Sequence, residues 1–569
     1  MKTCIKILIF IYIYISQDEA SLAQAGQAPS DLTKWKQLLH YEDGTSEVIS
    51  PEFFLSSKGR TNPKDELEKT LETLKSDHGF ATACNFPARY TYLLGKYDDL
   101  PKFDLLLCKK LSEFVNSFQS NHLSLVLASP FYSDLSSTFG HILIALHKDP
   151  VLDLNSDIIQ FAALTNNESI LKYAYKGIFG GFNAHFMREP FFRKYHEYAI
   201  KEQRYLHIYT LDIKKDQITF LLYHLFELRK ATFNYYFIKN NCAYKINNIL
   251  SLLDNKNEFI DDRFVLPIEV IRSRKDLIGN QHIFPPPISK ERVLYKKLDT
   301  SEKKALPSYL TGNLNPDENT SEALKELSYI NYLYNFKKRK NRFANVSGIK
   351  DLSFNEESDQ EELSEPIDRN LTSKISLSAT TGGSNGYQIQ YRPLSTDIYD
   401  ITAGNMHESN VNLLDFSLSV LDQNVSLEAL TLLDIRSLSS RTHIQKPLSY
   451  SAQFGLNRNN EKRNLELEFD TGVGVAINIA EFLASVTISP GLNITNLDVY
   501  IKPEFYIGRR INEVTKIGLL SSEKISRQSY YQHQIFLSHE INNKLISIKI
   551  ENNEAYENHI YSATLGYYF

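Results

Sequence analysis

Several things are scarce in this sequence, and each scarcity narrows what the chain can be. It has 4 cysteines in 569 residues, so once one falls in a removable leader at most one disulfide can form, with one thiol left over. Its formal net charge is −5, and no basic excess marks a nucleic-acid partner. After the leader there is no run of about 18 to 20 apolar residues, which excludes a helical membrane protein. No group of His, Cys, Asp and Glu has metal-ligand spacing, so neither a metal nor a cofactor is expected. At 569 residues the chain is too long for one core, and about two to four domains are expected.

The leader is 1–25. Lys2 and Lys6 form a basic region, Ile7 to Ile15 a short apolar one, and Ala23-Gln24-Ala25 a small-x-small cleavage site. The polar insert Gln17-Asp18-Glu19 is unusual in a signal peptide, and an uncleaved anchor is the alternative. The apolar stretch is too short to span a bilayer comfortably. Export implies an oxidising compartment, where Cys84 and Cys108 can pair and close a loop worth roughly 3 kcal/mol. Cys242 is then unpaired, and such a thiol is either buried and inert or kept for its reactivity.

Residues 26–118 read as a helical accessory domain. Asn62-Pro63 suits an N-cap and first helical position, and Leu67, Leu71 and Leu74 form one stripe. Residues 119–290 read as α+β. Strands are predicted at 122–129, 141–147, 158–164, 205–211 and 233–237, and helices at 191–201 and 217–230, with a Gly-rich loop at 177–182. After the aromatic strand, Ala243, Ile246, Ile249, Leu250 and Leu253 mark an amphipathic helix. Asn241 is its expected N-cap, which puts Cys242 in the first turn. A helix N-terminus offers unpaired N–H groups and partial positive charge that favour thiolate over thiol. The position suits a nucleophile.

A thiol nucleophile needs a base within about 3 Å and a third group to orient the imidazole. His141 opens the strand His-Ile-Leu-Ile-Ala-Leu-His, where alternation puts His141, Leu143, Ala145 and His147 on one face. His147 lies two pleats further on, and His122, His185, His207 and His224 have no comparable placement. A strand histidine is more often a satisfied core residue, and the odd cysteine is what singles His141 out.

Ser136-Ser137-Thr138-Phe139-Gly140-His141, Gly180-Gly181-Phe182, Glu202-Gln203-Arg204-Tyr205, Tyr236-Phe237 and Asn241-Cys242 resemble the successive motifs of the Lnb-type N-terminal periplasmic domain. That family is similar to the permuted, papain-like NlpC-type folds in which histidine precedes cysteine, as in lecithin–retinol acyltransferase. Trp35 with Leu38-Leu39-His40-Tyr41, and Cys84-x-Phe86-Pro87-Ala88-Arg89, resemble the helical domain that often precedes it. Lys446-Pro447-Leu448-Ser449-Tyr450 resembles part of the β-rich domain that often follows. The resemblance implies Cys242 as nucleophile and His141 as base. It places the third polar residue at Gln160, where other members tend to have Asn. The Cys242 N–H would help form an oxyanion hole. Tyr132 and Ser137, with Asn241, are candidate pocket residues; a polar loop capping itself is the alternative for the first two.

From 291 to 370 two helical runs pass into the basic run Lys337-Lys338-Arg339-Lys340-Asn341-Arg342 and the acidic stretch Glu356 to Glu365, a linker by composition. The basic run reads as a solvated helix end, with contact to anionic lipid head groups as the other possibility. From 371 to 569 the texture is β. Twelve alternating segments begin at 374, 386, 412, 426, 448, 464, 481, 497, 515, 528, 543 and 559, which predicts a closed barrel. In the last, Tyr561, Ala563, Leu565, Tyr567 and Phe569 alternate, as in outer-membrane barrels. Asp434 and Arg436 interrupt the apolar side of one strand, and a soluble β-domain is the alternative. An even number of strands leaves both barrel ends in the periplasm.

The expected fold is therefore multidomain, α+β and all-β, with a permuted papain-like α+β domain followed by an antiparallel β-barrel of about 12 strands. The expected function is envelope acyl transfer or hydrolysis by a Cys–His pair through a thioester. The resemblance implies N-acylation of lipoproteins from a phospholipid donor, although that activity is associated with inner-membrane attachment rather than a barrel anchor. One alternative is a peptidoglycan endopeptidase or amidase. The other is a non-enzymatic barrel protein with a periplasmic binding or scaffold domain. Partners are accordingly phospholipid and lipoprotein, or peptidoglycan, with outer-membrane lipid around the barrel and no nucleic acid.

Overall fold

The computed structural model describes residues 32–131, 139–163, 172, 175–177, 180–237, 240–253, 265–335, 373–381, 386–401, 408–421, 424–458, 464–526, 529–553 and 560–568. The leader 1–25, Tyr132, Ser137, the basic run 337–342, the acidic stretch 356–365 and Phe569 lie outside them. The chain divides into two compact units, one built mostly from residues up to Phe284 and the other mostly from Pro285 onward.

The first unit is built on a seven-stranded antiparallel sheet. Its strands are β1 His122–Ala128, β2 His141–His147, β3 Asp157–Ala163, β4 Phe182–Pro190, β5 Leu206–Leu211, β6 Phe233–Tyr235 and β7 Ile278–Phe284. Their spatial order is β6-β4-β3-β2-β1-β5-β7. Every residue of β2 is buried, because this central strand is covered on both faces. Two strands, β4 and β7, occupy stretches without a strand pattern in sequence. In β4 the alternation of Phe182, Ala184 and Phe186 with Asn183 and His185 is short and breaks at Met187 and Arg188. At the edge, β7 exposes Gly279, Asn280 and Gln281, so it buries too little to read as apolar.

The helices are α1 Thr33–Leu38, α2 Pro63–Leu74, α3 Gly79–Asn85, α4 Pro87–Leu94, α5 Lys109–Asn116, α6 Phe191–Tyr195, α7 Lys215–Leu228, α8 Cys242–Leu250 and α9 Pro267–Arg272. Asn62 caps α2 by accepting from the N–H groups of Lys64 and Asp65, both at 3.1 Å. Cys84 and Cys108 form a disulfide with their Cα atoms 5.5 Å apart. The first five helices do not stand apart from the sheet domain. Leu38 and Ala88 share a buried cluster with Leu252, and Cys108 and Leu111 share one with Phe226 of α7. Accessory and thiol segments therefore close one core.

In the second unit, α10 Glu291–Lys297, α11 Thr300–Thr311 and α12 Glu322–Asn335 bury Leu294, Leu298, Leu306, Leu324, Leu327 and Ile330 together. The barrel follows. Its strands are β8 Lys374–Thr381, β9 Gly386–Arg392, β10 Glu408–Leu421, β11 Asn424–Leu438, β12 Ser449–Arg458, β13 Leu465–Ile479, β14 Phe482–Asn493, β15 Asp498–Asn512, β16 Thr515–Lys524, β17 Tyr530–Ile541, β18 Lys544–Asn553 and β19 Ile560–Tyr568. The pairings of β8 with β19 and of β9 with β10 close these twelve antiparallel strands.

Alternation sorts the barrel's two faces. In β13, Glu466, Glu468 and Asp470 are held by Asn493, Lys524 and Lys502 from other strands, whereas Val473 and Ile479 are 63 % and 55 % exposed. In β19 the outward Tyr561, Leu565 and Tyr567 are likewise exposed. A polar interior inside an apolar outer surface is the arrangement of a lipid-facing barrel. Asp434 and Arg436 obey it too. A β-bulge between Thr431 and Leu433 shifts the register and turns both side chains inward, Asp434 to Asn410 and Asn412 and Arg436 to Glu504.

The connection after β9 runs into the barrel. Ile398 packs with Leu438, Ala476, Leu483, Tyr506 and Phe536, which come from five different strands. Around it, Asp397 pairs with Arg392 and Asp400 with Lys374, and the Lys516 ammonium donates to the Ile398 carbonyl at 2.7 Å. The 397–401 segment thus plugs the lumen at the end where the chain enters and leaves the barrel.

Candidate functional site

The thiol is positioned by local sequence. Asn240 has φ +56°, a turn that asparagine tolerates, and it delivers Asn241 to the start of α8. The Asn241 side-chain oxygen accepts from the Tyr244 N–H at 3.0 Å, and its amide donates to the Val265 carbonyl at 3.0 Å. Asn241 is therefore both cap and brace. Cys242 is the first residue of α8, is only 3 % exposed and takes no part in the disulfide. At this place the thiol residue lies at the positive end of the α8 dipole.

Upstream glycines explain the approach to that turn. Gly177 and Gly180 lie against Phe237 and Tyr236 so closely that a Cβ on either would meet those rings at 2.1 Å and 2.7 Å. The Phe237 N–H also donates to the Gly177 carbonyl at 2.8 Å. Gly140, immediately before His141, has φ +93°, a backbone that glycine adopts without strain.

His141 heads β2 opposite Ala128 and is 8 % exposed. Ala145 pairs with Ile158, so alternation puts His141 and Gln160 on the same face of the sheet. Helix α8 packs against β2, β3 and α9. Cys242, His141 and Gln160 thus come from three mutually packed elements, and all three are buried. Gln160 donates its amide to Glu189 Oε1 at 2.6 Å, which leaves its carbonyl oxygen as the remaining acceptor. His147 is committed elsewhere: its Nε2 meets Ser124 Oγ at 2.8 Å and its Nδ1 the Asp149 carbonyl at 2.7 Å. Tyr132 and Ser137 are not among the described residues.

The first unit also buries ionisable groups to which the sequence analysis gave no role. Lys245, on α8 and fully buried, meets Glu47 Oε2 at 2.5 Å and lies 4.6 Å from the Phe233 ring centre. Burial holds the lysine below its ordinary range and pushes Glu47 up. Further in, Arg89 lies between Glu66 at 3.1 Å and Glu227 at 3.2 Å, with every side chain shut from solvent. Burial pushes Glu227 up to about 7. His40 and His224 meet through their Nε2 atoms at 3.0 Å, so one ring donates and the other accepts. Burial pulls His224 down to about 3. Arg89 and His40 had left a trace in sequence, in the Cys84-to-Arg89 and Trp35-to-Tyr41 motifs. Glu189 left none, because its segment lacks a strand pattern.

Family models match three stretches of the chain. The model described as "Lnb N-terminal periplasmic domain" matches residues 110–276. This segment is therefore similar to the Lnb N-terminal periplasmic domain family. The domain holds Cys242, His141 and Gln160 alike. Two models described as domains of unknown function, DUF7843 and DUF7840, match residues 29–96 and 364–544 on either side of the Lnb-type domain. No curated protein matches the chain.

Solved structures similar to part of the chain include the "KdgM porin", at 10 % identity and a TM-score of 0.24, covering 34 % of this chain and 99 % of that one. Another is the "COG4313 outer membrane channel from Pseudomonas putida F1", at 9 % identity and a TM-score of 0.23, covering 36 % and 100 %. A loop-deletion variant of OmpT, an outer membrane protein of Vibrio cholerae, matches at 6 % identity and a TM-score of 0.20, covering 35 % and 97 %. With a periplasmic Lnb-type domain and a barrel that is apolar outside and polar inside, the chain is an exported outer-membrane protein.

Proposed function

We propose that this protein carries out thiol-dependent acyl transfer or hydrolysis in the periplasm, with Cys242 as nucleophile and His141 as base. The observation that carries this is Cys242 at a side-chain-capped helix start, on a helix packed against the strands of His141 and Gln160. His141 takes the thiol proton and the sulfur attacks an ester carbonyl. As the tetrahedral intermediate collapses, the C–O bond breaks and the imidazolium returns the proton to the leaving alkoxide. The acyl group then sits on sulfur as a thioester. An amine or water attacks that carbonyl, gives its proton to His141 and expels the thiolate. The Cys242 N–H supports the oxyanion. Gln160, its amide turned to Glu189, offers its carbonyl oxygen to hold the imidazole in the working tautomer.

The substrate we favour is a phospholipid donor and a lipoprotein amine, because a barrel anchor keeps the domain beside lipid. The non-enzymatic reading draws on one fact, the 3 % exposure of Cys242. Incubating the purified protein and a Cys242→Ser variant with acyl-labelled phospholipid separates the two. A hydroxylamine-sensitive label on the wild type alone supports the reaction. Label on both, or on neither with phospholipid and peptidoglycan fragments alike, ends it.

A further inference from the structure

We infer that the turn at Leu106 and Leu107 inserts into a bilayer surface bearing anionic phospholipid headgroups. The two side chains are 78 % and 71 % exposed, on a single turn, Leu105–Leu107, between α4 and α5. Phe80, 40 % exposed, extends the apolar tip through its contact with the Phe103 ring at 5.9 Å.

The tip is held stiffly. The Tyr90 hydroxyl accepts from the Phe103 N–H at 2.7 Å and donates to the Pro101 carbonyl at 2.9 Å. Asp104 Oδ1 accepts from the Leu106 N–H at 2.9 Å, and Ser112 Oγ donates to the Leu106 carbonyl at 2.8 Å. Cys108, the next residue, is fixed to Cys84 by the disulfide. Insertion therefore costs little ordering entropy. Exposed Lys102, Lys109 and Lys110 flank the leucines along the chain; of the three acids between α4 and α5, Asp104 spends an oxygen on the cap and Asp99 pairs with Lys75, which leaves Asp98. Rigid apolar side chains flanked by exposed lysines match an interface of acyl chains beneath anionic headgroups. The inference also deepens the reading above, since the same tip would hold the thiol domain against its donor lipid.

The test needs no catalysis. The full chain carrying Leu106→Trp, with or without Cys242→Ser, is reconstituted into vesicles of dibrominated phosphatidylcholine with and without phosphatidylglycerol. Trp35, the chain's own tryptophan, is buried and bonded to the Pro63 carbonyl at 2.8 Å, so it is the unquenched reference. Bromine should quench the indole at position 106 strongly when phosphatidylglycerol is present. Adding Leu107→Ser should lower the partitioning roughly tenfold. Lys102→Gln with Lys109→Gln and Lys110→Gln should remove the phosphatidylglycerol dependence. No quenching in any vesicle overturns the inference, as does quenching indifferent to both the anionic lipid and the lysines. Because the Cys242→Ser chain serves equally well, failure here leaves the acyl-transfer reading standing, and the reverse also holds.

Discussion

Arg89→Met is the change expected to damage the first unit most for its size. The guanidinium pairs with Glu66 and Glu227, donates to the Phe53 carbonyl at 2.8 Å and stacks on the Phe53 and Phe86 rings at 4.1 Å and 4.5 Å. Methionine keeps much of the stacking volume but leaves two carboxylates in the core with no counter-charge. Breaking a buried pair in this way costs about 3–5 kcal/mol. Glu227 already sits near 7 because of its burial, and Arg89 is the leading influence holding it down. Without Arg89 both carboxyls should be raised further, so the cost relative to wild type should grow with pH only above the wild-type folded values, near 7 for Glu227, because below that wild type and variant lose the same stability. The slope should approach about 1.4 kcal/mol per pH unit for each group.

The assay is urea unfolding in detergent micelles, followed through Trp35, the single tryptophan, which lies in the first unit. With an m-value near 3 kcal/mol/M the midpoint should fall by about 1–1.7 M. Adding Glu66→Gln and Glu227→Gln to Arg89→Met should recover most of that loss. An unchanged midpoint for the single variant, or no recovery in the triple, would refute the reasoning.

Three further outcomes follow from the same structure. His224 at about 3 and Glu227 at about 7 work in opposite directions on acidification: the depressed histidine loses stability as pH falls below its unfolded value near 6.5, and the raised carboxyl gains it. Between pH 7 and pH 5 each contributes about 2 kcal/mol. His224→Gln removes only the first, so its deficit against wild type should narrow by about 2 kcal/mol over that interval; a constant deficit in Trp35-monitored urea titrations would sink this. The reconstituted barrel should conduct little in planar bilayers, and Asp397→Ala with Asp400→Ala, which strip the 397–401 plug of its ties to Arg392 and Lys374, should open it; equal conductance would mean the segment does not block the lumen. Gln160→Ala should lower acyl-transfer turnover roughly 10–100-fold, whereas Gln160→Asn, which keeps the carboxamide, should restore most of it. If alanine is as active as wild type, Gln160 has no positioning role.

What could be read from the sequence follows what each residue buries. The barrel strands were visible because one face meets lipid and the other a polar lumen, which forces period-two alternation; Lys374–Thr381 occurs where the pattern put it. The bulge before Asp434 was hidden, since one extra residue only makes the alternation look broken. The plug at 397–401 was hidden too. Its partners are single inward residues on many strands, and no local pattern records them. In the first unit, Asn241 and Cys242 declared themselves as a helix start through their residue types and the apolar run after them. Glu47 and Glu227 did not, because a carboxylate paired inside the fold looks like a surface one until its partner is placed beside it. The helical segment looked separate for a similar reason: its contacts with Phe226 and Leu252 bridge more than a hundred residues.

The central claim is that Cys242 carries an acyl group. The most direct measurement is peptide-level mass spectrometry of the full-length protein after a short incubation with a defined phospholipid and no acceptor. The account predicts an added mass equal to that acyl chain on the peptide containing Cys242, removed by hydroxylamine and greatly reduced in His141→Ala. An acyl group found only on other residues, or an unmodified Cys242 with every ester and amide donor tried, would contradict it.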